Sequence, residues 1–352
     1  MIIKSDCRYF KGDLPCLYHK KKGVHCDNCS FYDPVKEKIL IIKLAAIGDV
    51  IRTTPLIEKL REDYPASEIY WLTKSPDILP SSVDKKMNFK LENILILQNM
   101  TFDYLFNLDK ERESCALAKS IKAEKKYGYI LQKGKPSPIN ELAVHKFYTG
   151  LFDDISQKNR KSYPEEIFEI CGYKFNYEKY RITEDIKQYD WNIDKDKKVI
   201  GLNTGCGKRW TSRLWPEKYW TELAKELKNN NFEVVLLGGE IEHKKNKRIQ
   251  NETGVKYFGY FSLKKFINLL DQCDLVVTAV TMATHLAIAL KKKIVLFNNI
   301  FNKNEFELYN LGKILEPDEC ECYYKPKCDK ECMRQIKVSK VFDTIKEILY
   351  LN

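Results

Sequence analysis

Few residues of this chain have both the type and the spacing to do chemistry. Asp49 follows Gly48 where an apolar run, Lys38 to Leu44, gives way to a helix-like stretch, Gly48 to Arg61. Glycine there allows a tight turn, and a carboxylate on the first turn of a helix is kept ionised by the helix dipole. The same carboxylate would also serve as a plain helix cap. Between Asn203 and Glu217 another apolar run opens into a loop starting at Thr204, with Gly205, Gly207 and three cations, Lys208, Arg209 and Arg213, ahead of Trp215 and Pro216. Backbone amides and cations so arranged suit a diphosphate, although a basic surface loop is the plainer alternative. Gly238 and Gly239 precede Glu242, which could accept hydrogen bonds from a ribose, as acidic residues do in dinucleotide folds, or simply face solvent. A further strand-to-helix turn holds Thr281, an amide and hydroxyl donor. His285 comes four residues later on the same helical face, as a diphosphate contact or as a structural histidine.

The twelve cysteines are unevenly spread. Cys7, Cys16, Cys26 and Cys29 lie near the start, and Cys320, Cys322, Cys328 and Cys332 near the end. Cys115, Cys171, Cys206 and Cys273 are isolated and read as small buried hydrophobes. In a reducing compartment clustered thiols favour metal over disulfides. The first set has one close pair and two outlying ligands, and four thiolates can hold Zn²⁺ or an iron–sulfur cluster. Zn²⁺ is the default expectation because a structural zinc site needs no cluster assembly. The second set suits a structural Zn²⁺, mere packing, or completion of a site shared with the first.

These residues need positioning elements. Residues 1–36 show almost no periodicity and carry Gly12, Pro15, Gly23 and Pro34, so the segment needs a staple or a host surface. From Lys38 onward short apolar runs at 38–44, 69–73, 94–97 and 104–108 read as buried parallel strands, with a helix over 48–61. A second set comprises strands at 198–203, 233–238, 274–278 and 294–298 and helices starting at about Pro216, Leu263 and Ala283. The final helix, 338–349, is expected to return to the first domain. The reading is α/β, with a Cys-rich extension at 1–36, an N-terminal domain at 37–185, a C-terminal domain with a Cys-rich tail at 186–335, and a closing helix at 336–352. Two doubly wound domains with a cleft at the strand C-terminal ends form a ligand-binding architecture.

A length of 352 residues fits two domains, and 44% hydrophobic with 31% charged residues is a globular composition. No apolar run reaches membrane-spanning length and the start lacks a signal-peptide pattern, so a cytoplasmic location is expected. The net charge of +11 suits anionic partners. With no RNP box or recognition-helix signature, a phosphorylated glycolipid at the inner face of a membrane is a better partner than nucleic acid.

The four motif stretches, in this order at strand–loop–helix junctions, resemble glycosyltransferase family 9, the heptosyltransferase-like enzymes of lipopolysaccharide biosynthesis. The resemblance implies a GT-B fold of two Rossmann-like domains facing across a cleft. It implies inverting, metal-independent transfer of a sugar, such as heptose from ADP-heptose, to a glycolipid or lipopolysaccharide-type acceptor. By the same match Asp49 is the general base toward the acceptor hydroxyl, with Arg52, Thr53 and Thr54 toward the acceptor. Arg213 takes the donor-phosphate role, alongside Thr204, Lys208, Arg209, Glu242, Thr281 and His285. Val280 and Met282 stand where the family usually has Asp and Gly. The cysteine-bearing tail ending in Cys332 and Met333 resembles one found in part of the family, whereas the N-terminal extension has no counterpart in it. The competing reading is a non-catalytic or sensory nucleotide- or metal-binding protein derived from this fold.

Overall fold

The computed structural model describes residues 2–350; Met1, Leu351 and Asn352, at the ends of the first and last expected spans, lie outside the described residues. The chain forms two compact units, one of residues 1–46, 54–147 and 167–178, the other of 47–53, 148–166 and 179–352. Each has its own parallel sheet.

In the first unit strands β1 (Lys38–Ile42), β2 (Glu68–Thr73), β3 (Lys85–Asn88), β4 (Thr101–Asn107), β5 (Lys122–Gln132) and β6 (Lys135–Pro138) lie in the order β3-β2-β1-β4-β5-β6. All pairs are parallel except the β5–β6 hairpin. Strand β1 is buried on both faces beyond its first residue, as its unbroken apolar run requires. The N-terminal extension holds the short helix α1 (Leu17–Lys22).

The stretch expected as one helix over 48–61 is two, α2 (Ile47–Ile51) and α3 (Pro55–Asp63), because Pro55 has no N–H to continue a ladder and starts a new helix instead. Residues 94–97, expected as a strand, lie in helix α4 (Leu91–Gln98). Such a short apolar run is ambiguous by pattern alone. Of α4's apolar residues Leu97 is fully buried, while Leu91, Leu95 and Ile96 are exposed. Helix α5 (Arg112–Ser120) joins β4 to β5, and α6 (Val144–Thr149), α7 (Asp153–Lys158) and α8 (Tyr163–Ile170) follow the hairpin.

The second unit orders β7 (Val199–Asn203), β8 (Glu233–Leu237), β9 (Leu275–Ala279), β10 (Lys293–Phe297) and β11 (Gly312–Leu315) as β11-β10-β9-β7-β8, all parallel. Helices α9 (Glu217–Asn229), α10 (His243–Thr253), α11 (Leu263–Asp271), α12 (Met282–Ala289) and α13 (Val338–Tyr350) belong to this unit. The final helix buries Val341, Phe342, Ile345 and Ile348 in the same core as β7, β9 and β10, instead of returning to the N-terminal domain. Its apolar face completes the layer that covers this sheet beside α9. The unit also claims residues 47–53, which the sequence places in the N-terminal domain, because α2 packs on α12.

Candidate active site

The second sheet reverses its winding between β7 and β9, the crevice where open α/β sheets bind ligands. There Asn203 Nδ2 donates to the Thr278 hydroxyl at 2.8 Å and to the Thr281 hydroxyl at 3.3 Å, tying the two strand ends together. Around this point a cleft of about 290 Å³, open to solvent, is lined by Asn203, Gly205, Gly207, Gly238, Gly239, Glu242, Thr281, Met282, Ala283, Ile47 and the apolar wall Phe261, Leu263 and Phe266.

Glu242 is 8% exposed and its carboxylate accepts from the Gly239 amide at 2.9 Å. A Cβ on Gly205 would lie 2.2 Å from Glu242 Oε1, so the glycine makes room for the carboxylate. Thr204 is buried; its hydroxyl donates to Asn246 Oδ1 at 2.6 Å, and its carbonyl accepts from Lys245 Nζ at 2.6 Å. Burial lowers Lys245, against the pull of Glu242. Thr281 caps α12, accepting from the Ala283 amide at 3.1 Å.

Arg213 is buried. Its guanidinium donates to the Val280 carbonyl and, at 2.7 Å, to the Cys206 carbonyl. Burial lowers its pKa. The side chain therefore fixes the loop beginning at Thr204 against the β9–α12 turn, and the exposed cations of that loop are Lys208 and Arg209. Val280, at the position of the usual family Asp, contributes its carbonyl to this clasp.

Helix α2 enters beside the cleft, with Ile47 in its lining. A Cβ on Gly48 would sit 2.7 Å from His285 Cδ2, so only glycine lets α2 lie against α12 here. Asp49, its side chain one-third exposed, accepts from Arg52 Nε at 2.9 Å and Nη2 at 2.7 Å. Arg52 stacks 3.5 Å from the Tyr163 ring centre and reaches Glu305 at 3.6 Å. Burial works to lower the Arg52 pKa, but Asp49, Tyr163 and Glu305 outweigh it and raise the value. His285 is held neutral, its pKa lowered to about 3 by burial and by Arg52, with Asp49 opposing. Its Nδ1 is buried without a hydrogen-bond partner. The Thr53 hydroxyl donates to the Asp49 carbonyl at 2.7 Å, and Thr53 and Thr54 are both fully buried. Tyr163, Glu305, Lys245 and Asn246 went unrecognised in the sequence; none has a local pattern that marks it. Lys43 and Asp109, a buried ion pair in the first unit at the ends of β1 and β4, were missed likewise.

The four C-terminal cysteines converge, their sulfurs all within 4.8 Å of one another. Zn²⁺ bound tetrahedrally at about 2.3 Å sets its sulfurs about 3.8 Å apart, so the set fits one such ion. The loop also braces the phosphate-loop region: the Pro326 carbonyl accepts from the Ser212 amide at 3.0 Å, and the Lys325 carbonyl from the Ser212 hydroxyl at 2.8 Å. The N-terminal four do not converge in this way. Among the described residues the C-terminal set alone meets that criterion.

Residues 94–300 match Glycosyltransferase family 9 (heptosyltransferase). The chain is 21% identical to the lipopolysaccharide core heptosyltransferase OpsX of Haemophilus influenzae, across 89% of this chain and 97% of that one. The fold is that of a family 9 glycosyl transferase from Veillonella parvula, with a TM-score of 0.68 and 18% identity over 90% of this chain and 98% of that one. It is also that of E. coli heptosyltransferase WaaC solved with ADP, with a TM-score of 0.62 and 16% identity over 88% and 99%. With the family match spanning more than half its length, the chain belongs to Glycosyltransferase family 9 (heptosyltransferase) and is a glycosyltransferase of GT-B fold.

Proposed function

We propose that this enzyme transfers a heptose-type sugar, with inversion and without a catalytic divalent metal, from ADP-heptose to an anionic lipopolysaccharide-core acceptor. The observation that carries the reading is the Asp49–Arg52 pair on a helix whose first residue lines the same cleft as Glu242 and Thr281. The relatives support the substrate class: OpsX is a lipopolysaccharide core heptosyltransferase and WaaC was solved with ADP.

In this reading the base lies along the apolar wall of Phe261, Leu263 and Phe266, and the ribose hydroxyls donate to Glu242. The diphosphate lies at the N-terminus of α12, whose dipole favours its charge, with Lys208 and Arg209 closing over it. Arg213 and Thr204 act one step removed, by holding the loop in shape. Asp49, positioned by Arg52, takes the acceptor hydroxyl proton as that oxygen bonds to the anomeric carbon on the face opposite the diphosphate. The anomeric carbon–oxygen bond breaks, and the nucleoside diphosphate leaves with the electron pair, its charge met by the helix dipole and the two cations. Neutral His285 supports α2 without adding charge.

Thermal unfolding with ADP-, UDP- and GDP-sugars, followed by transfer assays in EDTA, tests the proposal. ADP-heptose should raise the transition temperature most, and transfer should persist in EDTA with inverted anomeric configuration. No shift with any nucleotide sugar would favour the non-catalytic reading, for which the substitutions at Val280 and Met282 are the argument.

A further inference from the structure

Residues 2–38 contain not one buried residue, yet they fold into a defined shape. The segment closes on itself where Cys7 pairs with Pro34 in an isolated antiparallel bridge, and Arg8 reaches Asp33 at 3.0 Å and Asp84 at 3.3 Å. Aromatic contacts, Tyr18 stacked on Phe31 at 4.1 Å and Tyr9 edge-on to Tyr18 at 4.8 Å, are its main internal packing. That is too little apolar burial to order a segment of this length against its conformational entropy.

All four N-terminal cysteines line one concavity. Cys7, Cys16, Cys26 and Cys29, each half-buried, line a concavity open to solvent, walled by Tyr9, Phe10, Tyr18, Phe31 and Tyr32 with Lys4 at its edge. Cys16 caps α1, its sulfur already accepting from the His19 amide at 3.4 Å, and Cys26 begins the turn that leads to Cys29. His19 Nδ1 lies 3.0 Å from the Val24 carbonyl. The four thiols thus face one space, but no three of their sulfurs approach within 4.8 Å as the C-terminal set does. A single tetrahedral ion would draw its sulfurs to about 3.8 Å apart. An iron–sulfur cluster distributes its four thiolates over several irons and so holds their sulfurs further apart than one ion does.

We propose that Cys7, Cys16, Cys26 and Cys29 ligate an iron–sulfur cluster that orders the N-terminal segment, distinct from the compact site of Cys320, Cys322, Cys328 and Cys332. On transfer of a preformed cluster from a thiolate-bearing carrier, four Fe–S bonds to the carrier and four S–H bonds break, four Fe–S bonds to these cysteines form, and the carrier leaves with its thiolates. The protons pass to solvent, and the cluster's oxidation level does not change. Backbone N–H donation to Cys16 and the lysine beside the concavity favour the resulting anionic assembly. The proposal stands apart from the transferase reading, since it requires nothing of the cleft.

The test is anaerobic purification of the full chain, with iron, zinc and acid-labile sulfide counted per chain alongside the visible charge-transfer absorbance. Iron and sulfide in equal number, two to four of each by the known Cys₄ cluster types, are expected. Sulfide should vanish in Cys26→Ser and in Cys29→Ser and persist in Cys328→Ser, because a single ion at the C-terminal site carries none. If Cys26→Ser is insoluble, sulfide retained by soluble Cys328→Ser together with protection of Cys7, Cys16, Cys26 and Cys29 from alkylation in the native chain supports the proposal. Zinc without sulfide, lost on Cys26→Ser, overturns it in favour of one ion. So does a native chain with no sulfide and all four of these thiols open to alkylation.

Discussion

Arg52 holds Asp49 by two contacts, at 2.9 and 2.7 Å, and so fixes where the carboxylate can accept a proton as the new bond forms. Asp49→Asn should lower the transfer rate by roughly 10² to 10⁴ while ADP affinity stays within a few-fold; near-normal turnover would remove Asp49 from the mechanism. Arg213 and Arg209 should separate two roles. Arg213→Ala leaves the Val280 and Cys206 carbonyls without their donor and should cost roughly 1.5–3 kcal/mol of stability as well as donor affinity. Arg209→Ala should weaken ADP binding with no change in denaturant midpoint. The reverse pattern, by calorimetry and urea titration, would put Arg213 on the phosphate. His285 gives a pH signature. Folded, it titrates near 3, below its ordinary 6.5, so between those values the unfolded chain binds more protons. Its stabilising share is complete above about pH 6.5 and fades as pH falls toward 3, by up to about 1.4 kcal/mol per pH unit. Urea midpoints should therefore fall more steeply on acidification in the native chain than in His285→Gln, and parallel slopes would contradict the buried neutral ring. At this scale the sequence marked the residues with a local pattern, Asp49 after its glycine and Glu242 after Gly238 and Gly239. It assigned Arg213 outward when the side chain in fact turns inward, because direction is set by carbonyls at Cys206 and Val280, one of them far along the chain. Glu305 and Tyr163 reach Arg52 from equally remote segments, and no spacing rule could have joined them.

Among the elements, strands buried on both faces were legible because an uninterrupted β-branched and aliphatic run has few other uses, as in β1, β8 and β10. The failures have physical causes. The run at 94–97 lies on a helix whose exposed leucines imitate a strand core, and β5 with β6 hides its pattern in lysines and tyrosines on a half-exposed edge. The Cys-rich loop before α13 is an element made by sulfur, and its position was not readable from spacing. It touches the donor side through Ser212, while Asn299 Nδ2 donates to the Ser212 carbonyl at 2.8 Å. One zinc ion is expected there per chain. Cys332→Ser should abolish it, lower the unfolding temperature, and weaken ADP binding several-fold through the loop that carries Arg213, since a structural zinc site contributes folding free energy directly. Unchanged zinc content in that variant would mean that the four sulfurs pack without a metal.

At the scale of the whole molecule the dominant feature is charge. The 60 Lys and Arg residues against 49 Asp and Glu give +11, and most individual ion pairs are surface pairs of small energetic worth. The excess therefore acts mainly as a long-range field. An acceptor of the lipopolysaccharide-core type is phosphorylated and lipid-linked, so it presents its hydroxyl within an anionic surface. Each lysine or arginine brought near such a surface contributes about 1 kcal/mol, and the attraction decays within a Debye length of roughly 8 Å at physiological salt. No helix among the described residues is long and apolar enough to cross a membrane. The native protein should therefore sediment with vesicles containing about 30% anionic lipid and not with purely zwitterionic ones, and raising salt to about 0.5 M should release it. Transfer to a vesicle-borne acceptor should slow over the same salt range, whereas ADP affinity, set inside the cleft by shorter contacts, should fall much less. Salt-resistant vesicle binding would point instead to apolar insertion, and no binding to either vesicle would mean that the acceptor must reach the enzyme unaided by the surface.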